Sequence, residues 1–322
     1  MLFSASSGRK LLVLLLPLVF SVGGCAQPQE KAQEEPPAAP SISPEEHAAE
    51  IEAFRAEREA NLRKPNGWLS LVGLHWLEEG ANPFGSGAKN KIVFPEKAPE
   101  EAGVFLLEGE TVSVSAADDS GLQVDGAALP AGELVVVRND NAEEGPTPLT
   151  LGSLSFYAIR RGDRFGIRVK DSESAVLRNF HGLDAFPTDF AWRIEGRFEP
   201  YDPPKVIPVP NVLGTVSEEP SPGALVFEVA GTEYRLDPTG VLSEPLFVIF
   251  GDATNGKETY GAGRFLYVDP PDEQGRVVLD FNRAYNPPCI FTPYATCPLP
   301  PKGNKLPIRV EAGEKTYGEG HE

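Results

Sequence analysis

Leu154–Lys170 reads LSFYAIRRGDRFGIRVK, and this stretch decides the fold. Gly162-Asp163 is a two-residue hairpin turn set between two apolar runs. In the second run Phe165, Ile167 and Val169 share one face, and Arg164, Arg168 and Lys170 share the other, beside Asp171. A period of two with one apolar face is a half-buried strand. The charged face has two readings. One is a solvated face of an edge sheet, the plainer reading; the other is an anion-facing basic strip.

Short runs of the same kind recur upstream with turn residues between them: Lys91–Phe94, Gly103–Leu107, Thr111–Ser115, Gly121–Val124, Glu133–Val137 and Pro148–Leu151. Their even spacing predicts a β-sandwich. Ahead of them, Trp68–Leu77 (WLSLVGLHWL) is a nearly continuous apolar run that Glu78-Glu79-Gly80 turns. His75 within it reads first as a strand histidine with a satisfied hydrogen bond, and second as a general base. Downstream, Arg178–Pro187 is a loop holding His181, and Phe190–Tyr201 alternates apolar with charged residues as a strand. Pro203–Pro210 (PPKVIPVP) reads as a proline-broken linker and the best domain boundary. The second half is again β and reads as an antiparallel meander or barrel-like domain: Ala224–Val229, Thr232–Leu236, Leu246–Phe250, Lys257–Val268 continuing into Arg276–Asn282, and Lys305–Glu311.

Composition agrees with this. The 322 residues are 41% hydrophobic and 24% charged, with 32 glycines and 32 prolines, which favours short strands and turns over long helices. The net charge of −18 repels nucleic acid, so no nucleic-acid partner is expected.

The N-terminus reads as a targeting segment. Arg9 and Lys10 precede an apolar run at Leu11–Phe20, and Val22-Gly23-Gly24-Cys25 resembles the lipobox of bacterial lipoproteins. That reading makes residues 1–24 a signal peptide and places a lipid on Cys25. The expected location is then the bacterial cell envelope, extracytoplasmic, with the membrane as a partner through that lipid. The alternative is an ordinary secretory leader that contains a cysteine. Residues 25–42 have no apolar period and read as a disordered tether. A helix follows over 43–64: Ser43 is the N-cap, Pro44 the first helical residue, and Glu46 completes a capping box. Its narrow apolar stripe predicts packing on the outside of a sheet, with His47 solvated. The remaining division is a sandwich over 65–202, a second β domain over 203–314, and a polar tail over 315–322.

The least generic part of the chain is Leu279–Pro301, LDFNRAYNPPCIFTPYATCPLPP. Its prolines hold one shape at little entropic cost. Cys289 and Cys297 lie within it and read as a disulfide in an oxidising compartment, or else as two buried free thiols. Asp252, Thr259, Tyr260, Arg264, Asp280, Asn282, Arg283 and Asn286 bracket the last strands and are the candidate ligand-binding residues. Arginines with amides and carboxylates suit a small polar or anionic ligand. They suit equally a buried ion-pair network that locks the proline segment to the sheet. No Gly-x-Ser-x-Gly, HExxH, P-loop or dinucleotide fingerprint occurs. Four histidines, two of them in polar ends, leave little for a metal site, so no metal or cofactor is expected. Two function classes follow: a cell-envelope binding or scaffold module, or a hydrolase-type enzyme using Asp252 or Asp280 with a tyrosine or histidine. No protein partner is readable.

Two resemblances add to this. GWLSLVGLHWLEEG, RNFHGLDAFPTDFAWRIEGRFEPY, GDATNGKETYGAGRFL and LDFNRAYNPPCIFTPYATCPLPPKGNKLPI resemble the domain-of-unknown-function 1684 family. This implies a bacterial protein, often exported or lipid-anchored, with no established activity and no site residues to carry over. The first half also resembles a forkhead-associated domain: Gly80–Ser86, an apolar strand pair, Val124-Asp125-Gly126 and the Leu149–Phe156 run occur in the same order. That family reads phosphothreonine through an arginine after the loop glycine, a Ser-x-x-His and an Asn-Gly. Here Ser86 follows Gly85, the Ser-x-x-His is missing, and Asp125-Gly126 replaces Asn-Gly. The resemblance therefore implies the scaffold without the phosphate reader.

Overall fold

Leu154–Arg161 and Arg164–Asp171 pair antiparallel in unbroken register, with Tyr157 opposite Arg168 and Ser155 opposite Lys170. Gly162 takes φ 63°, a left-handed value that costs glycine least, and so closes the turn. Phe165, Ile167 and Val169 are buried. The computed structural model describes residues 42–318. The leader, Cys25, the tether and the last residues of the tail lie outside the described residues.

The hairpin is the centre of a six-stranded sheet. Leu71–Trp76 pairs on one side; Leu149–Leu151, Gln123–Val124 and Ala127–Ala128 follow on the other. A five-stranded sheet faces it, ordered Ile92–Val93, Gly80–Gly85, Gly103–Glu108, Thr111–Ala116, Leu134–Val137. Between them Phe84, Phe94, Phe105 and Phe156 form an aromatic cluster, with the Phe84 and Phe105 centroids 4.5 Å apart. Gly103 lets the strands close over this cluster. A Cβ there would meet the Ser115 carbonyl at 2.2 Å and the Phe84 ring at 2.9 Å. The first half is thus the β-sandwich that the strand spacing predicted.

The second half holds a four-stranded antiparallel sheet, ordered Thr232–Leu236, Val216–Val229, Arg193–Pro210, Arg276–Asp280, and a separate pair, Leu246–Phe250 with Arg264–Val268. The prolines expected to form a linker lie inside the 18-residue strand Arg193–Pro210. The reason is positional. Arg276–Asp280 covers this strand only over Arg193–Arg197, so between Phe198 and the contact of Pro210 with Leu299 that side has no ladder, and proline needs no partner there. The register also shifts between Pro200 and Lys205, which absorbs Pro203 and Pro204.

Three other expectations are corrected. Lys257–Gly263 is not strand: the Thr254 carbonyl gathers the N–H groups of Lys257, Glu258 and Thr259 into a tight turn, and the strand begins at Arg264. Lys305–Glu311 forms only a single bridge, from Lys305 to Gly251, because Pro300, Pro301 and Pro307 deny it a ladder. Arg276–Asp280 pairs with the long strand instead of continuing a meander from Arg264–Val268.

The helix Pro44–Leu62 carries the expected capping box, with Ser43 Oγ accepting from Glu46 N and Glu46 accepting from Ser43 N. It packs mainly on turns and loops and meets the sheet only at a strand end, where His47 bonds Asp280. Arg55 donates to the Phe186 carbonyl, and Arg58 donates to the Asn286 carbonyl and the Glu314 carboxylate. From Ile42 onward the chain is one contiguous unit. Each half has its own core, and two smaller clusters join them. One sets Leu71 against Ile207, Val209, Ile249, Phe265 and Ala295; the other sets Leu62 and Leu69 against Phe180, Ile290 and Phe291.

Candidate functional site

The eight candidate residues form three hydrogen-bonded knots, of which the first and third meet at Glu314. In the first, Asp252 Oδ1 accepts from Thr254 N (2.8 Å), Thr254 Oγ1 (2.6 Å) and Val310 N (3.2 Å), and Oδ2 accepts from Arg264 Nη2 (2.8 Å). The Arg264 side chain is fully buried. It also donates to the carbonyls of Ala312, Val310 and Glu314, which the irregular C-terminal run leaves without ladder partners. Thr259 bonds Thr254 at 2.7 Å and receives Asn255 Nδ2. Burial pulls Arg264 below its ordinary value and the Asp252 charge opposes the pull. Burial raises the Tyr260 hydroxyl.

The second knot joins Asp280 to His47. Nε2 of His47 lies 2.7 Å from Asp280 Oδ2, and the histidine is fully buried. Asp280 Oδ1 accepts from the backbone and side-chain nitrogens of Asn282, whose amide also bonds Asp189. Arg283 reaches outward, with its guanidinium 3.4 Å from Glu50 and 3.8 Å from Asp280. The solvated His47 read from the sequence is therefore wrong. Its position four residues before Ile51 puts it on the buried face of the helix, and that spacing was the available signal.

The third knot is Asn286. Its N–H donates to Glu314 Oε2 (2.7 Å) and its amide to the Lys315 carbonyl (2.7 Å), while Arg58 bonds the other Glu314 oxygen. Glu314 carried no sequence signal beyond its charge. Cys289 and Cys297 are paired as a disulfide, with Cα atoms 6.1 Å apart. Both candidate carboxylates are engaged at each oxygen, Asp252 by Thr254, Val310 and Arg264, and Asp280 by Asn282 and His47. Among the described residues no group of three or more His, Cys, Asp or Glu is placed to hold a metal ion.

Two clefts border these knots. One, about 610 Å³, lies between Pro210, Leu299 and Pro300 on one side and Gly251, Asn255 and the Gly261–Gly263 turn on the other, with Lys305 and Leu306 beside it. The other, about 290 Å³, is lined by Glu59, His181–Asp184 and Thr316–Gly318. Asp252 is the one candidate residue that lines the first cleft.

The motifs of the second half now meet a known pattern. Residues 178–315, which contain the eight candidate residues and the disulfide, match the model described as "Protein of unknown function (DUF1684)". The likeness to the DUF1684 family lies in those residues. The chain is also similar to an uncharacterised protein of Haloarcula marismortui solved by NMR, at 31% identity over 44% of this chain and 80% of that one, with a TM-score of 0.38. Forkhead-associated domains are further neighbours. One comes from a study of phosphothreonine-dependent interactions of such domains (15% identity, 30% and 92% coverage, TM-score 0.21). Another is the FHA1 domain of yeast Rad53 (9% identity, 37% and 66% coverage, TM-score 0.18). No curated protein matches the chain.

Proposed function

We propose that this protein is a lipid-anchored, extracytoplasmic binding module, and that the 610 Å³ cleft takes a small ligand with an apolar body and one anionic group. The observation that carries the reading is the state of the charges there. Asp252 is saturated by Arg264, Thr254 and Val310, so it offers a ligand nothing. Lys305 is exposed and has no ion-pair partner among the described residues. Pro210, Leu299, Pro300 and Leu306 give apolar walls that desolvate a ligand, and Lys305 would fix its orientation. The Val22-Gly23-Gly24-Cys25 pattern supports the anchor, and the disulfide suits an oxidising compartment.

Melting curves of wild type and Lys305→Ala against a panel of small carboxylates with apolar tails test the cleft. The expected result is stabilisation of wild type by a subset, lost in Lys305→Ala. No response in wild type, or the same response in both, removes the reading. Labelled palmitate in growing cells tests the anchor: label is expected in wild type and not in Cys25→Ser, and equal label in both rejects it.

A further inference from the structure

Arg168 is 4% exposed, and among the described residues no carboxylate pairs with it. Its donors are poorly used. Nη1 donates to Tyr157 Oη and Nη2 to Thr296 Oγ1, each at 3.4 Å, and the buried Nε has no acceptor. Trp68 lies under the guanidinium at 5.4 Å. Lys170 stands two residues along on the same face. Its ammonium donates to the Asn66 carbonyl, lies 5.6 Å from the Tyr157 ring centroid, and has no carboxylate partner either. Burial and the neighbouring Arg168 charge push Lys170 below its ordinary value, with no acid opposing them. Arg161 also reaches Thr296, at 3.3 Å, but is already paired with Asp140 at 2.7 Å. Two cations without a carboxylate partner thus share this face, Arg168 on the Tyr157 and Thr296 hydroxyls and Lys170 over the Tyr157 ring, while the acid nearby, Asp140, is taken up by Arg161.

An unpaired buried cation is strongly destabilising unless something opposes it, and aromatic faces offset only part of that. An arginine fork, an ammonium and two hydroxyls form a donor set that matches a planar or tetrahedral oxyanion. We propose that Arg168 and Lys170, with the hydroxyls of Tyr157 and Thr296, bind a small oxyanion, a carboxylate or phosphate group. The site lies where the sandwich meets the disulfide-closed loop, because Thr296 sits between Cys289 and Cys297. A bound anion would tie that loop to the basic face of the central hairpin. The site is separate from the Lys305 cleft and does not depend on it.

The test uses the full-length protein in chloride, inorganic phosphate or succinate at matched ionic strength, followed by melting and calorimetry. Phosphate or succinate is expected to raise the wild-type Tm by several degrees over chloride, and the stronger of the two names the anion class. Arg168→Met and Lys170→Met are each expected to weaken binding by roughly tenfold or more. Lys305→Met is expected to keep the full response. In chloride alone Arg168→Met is expected to melt no lower than wild type, because it removes an unpaired charge. Equal melting of wild type in all three salts overturns the proposal. So does a response retained by both Arg168→Met and Lys170→Met, or an Arg168→Met protein that melts lower than wild type in chloride while Lys170→Met still binds normally.

Discussion

Arg264 is the side chain on which most of the second half's buried polarity depends. It answers one carboxylate and three main-chain carbonyls from a position with no access to water. Arg264→Met should therefore cost about 3–5 kcal/mol, since it leaves Asp252 buried and unpaired. Urea unfolding with an unchanged m-value would measure it. His75 works in the opposite direction. Burial holds its imidazole below the ordinary 6.5, so the folded chain binds the proton less tightly than the unfolded one. Stability is then expected to fall as pH drops below 6.5 and to stop falling below the lowered folded value. Melting curves across that window should show a shallower fall in His75→Gln than in wild type. At this scale the sequence was a partial guide. Asp252, Arg264, Asp280 and Asn282 were marked as polar residues crowding a few strands, and all four proved buried. Their partners were not legible. His47 lies 233 positions from Asp280 and Glu314 lies 256 from Arg58, and no local pattern encodes such pairings.

Among the elements, the central hairpin was the most legible. Its turn, its alternation and its buried face each pointed to the same structure, and agreement between levels marks a well-specified element. The long strand Arg193–Pro210 was the least legible, because proline content argues against a strand unless the residue is known to sit on an edge. Whether a strand has one neighbour or two is a property of the whole sheet. The disulfide closes a short loop within the proline segment. Reducing it should cost roughly 2–3 kcal/mol by loop entropy. Chemical denaturation with and without reductant checks this, and Cys289→Ser/Cys297→Ser should match the reduced protein.

Across the whole molecule, the two clusters that join the halves decide how it unfolds. Leu71 packs with Ile207, Val209 and Phe265, and Leu62 and Leu69 pack with Phe180, Ile290 and Phe291. Neither cluster survives if one half leaves. Residues 42–318 are expected to unfold in a single transition, with fluorescence and far-UV dichroism coincident. Two separated transitions would show instead that the halves fold independently.

The pairing of the first helix with the last described residues has a consequence in time. A ribosome delivers Pro44–Leu62 well before Asp280 or Glu314 exists, so His47 and Arg58 emerge with no partners to meet. Arg264 likewise waits for Val310, Ala312 and Glu314. A nascent chain at residue 300 is thus open at both ends and exposes charge that the finished protein hides, which makes it a target for proteases and chaperones. The molecule closes only when its final turns arrive, and a chain cut before Val310 carries that unfinished state as a permanent mark.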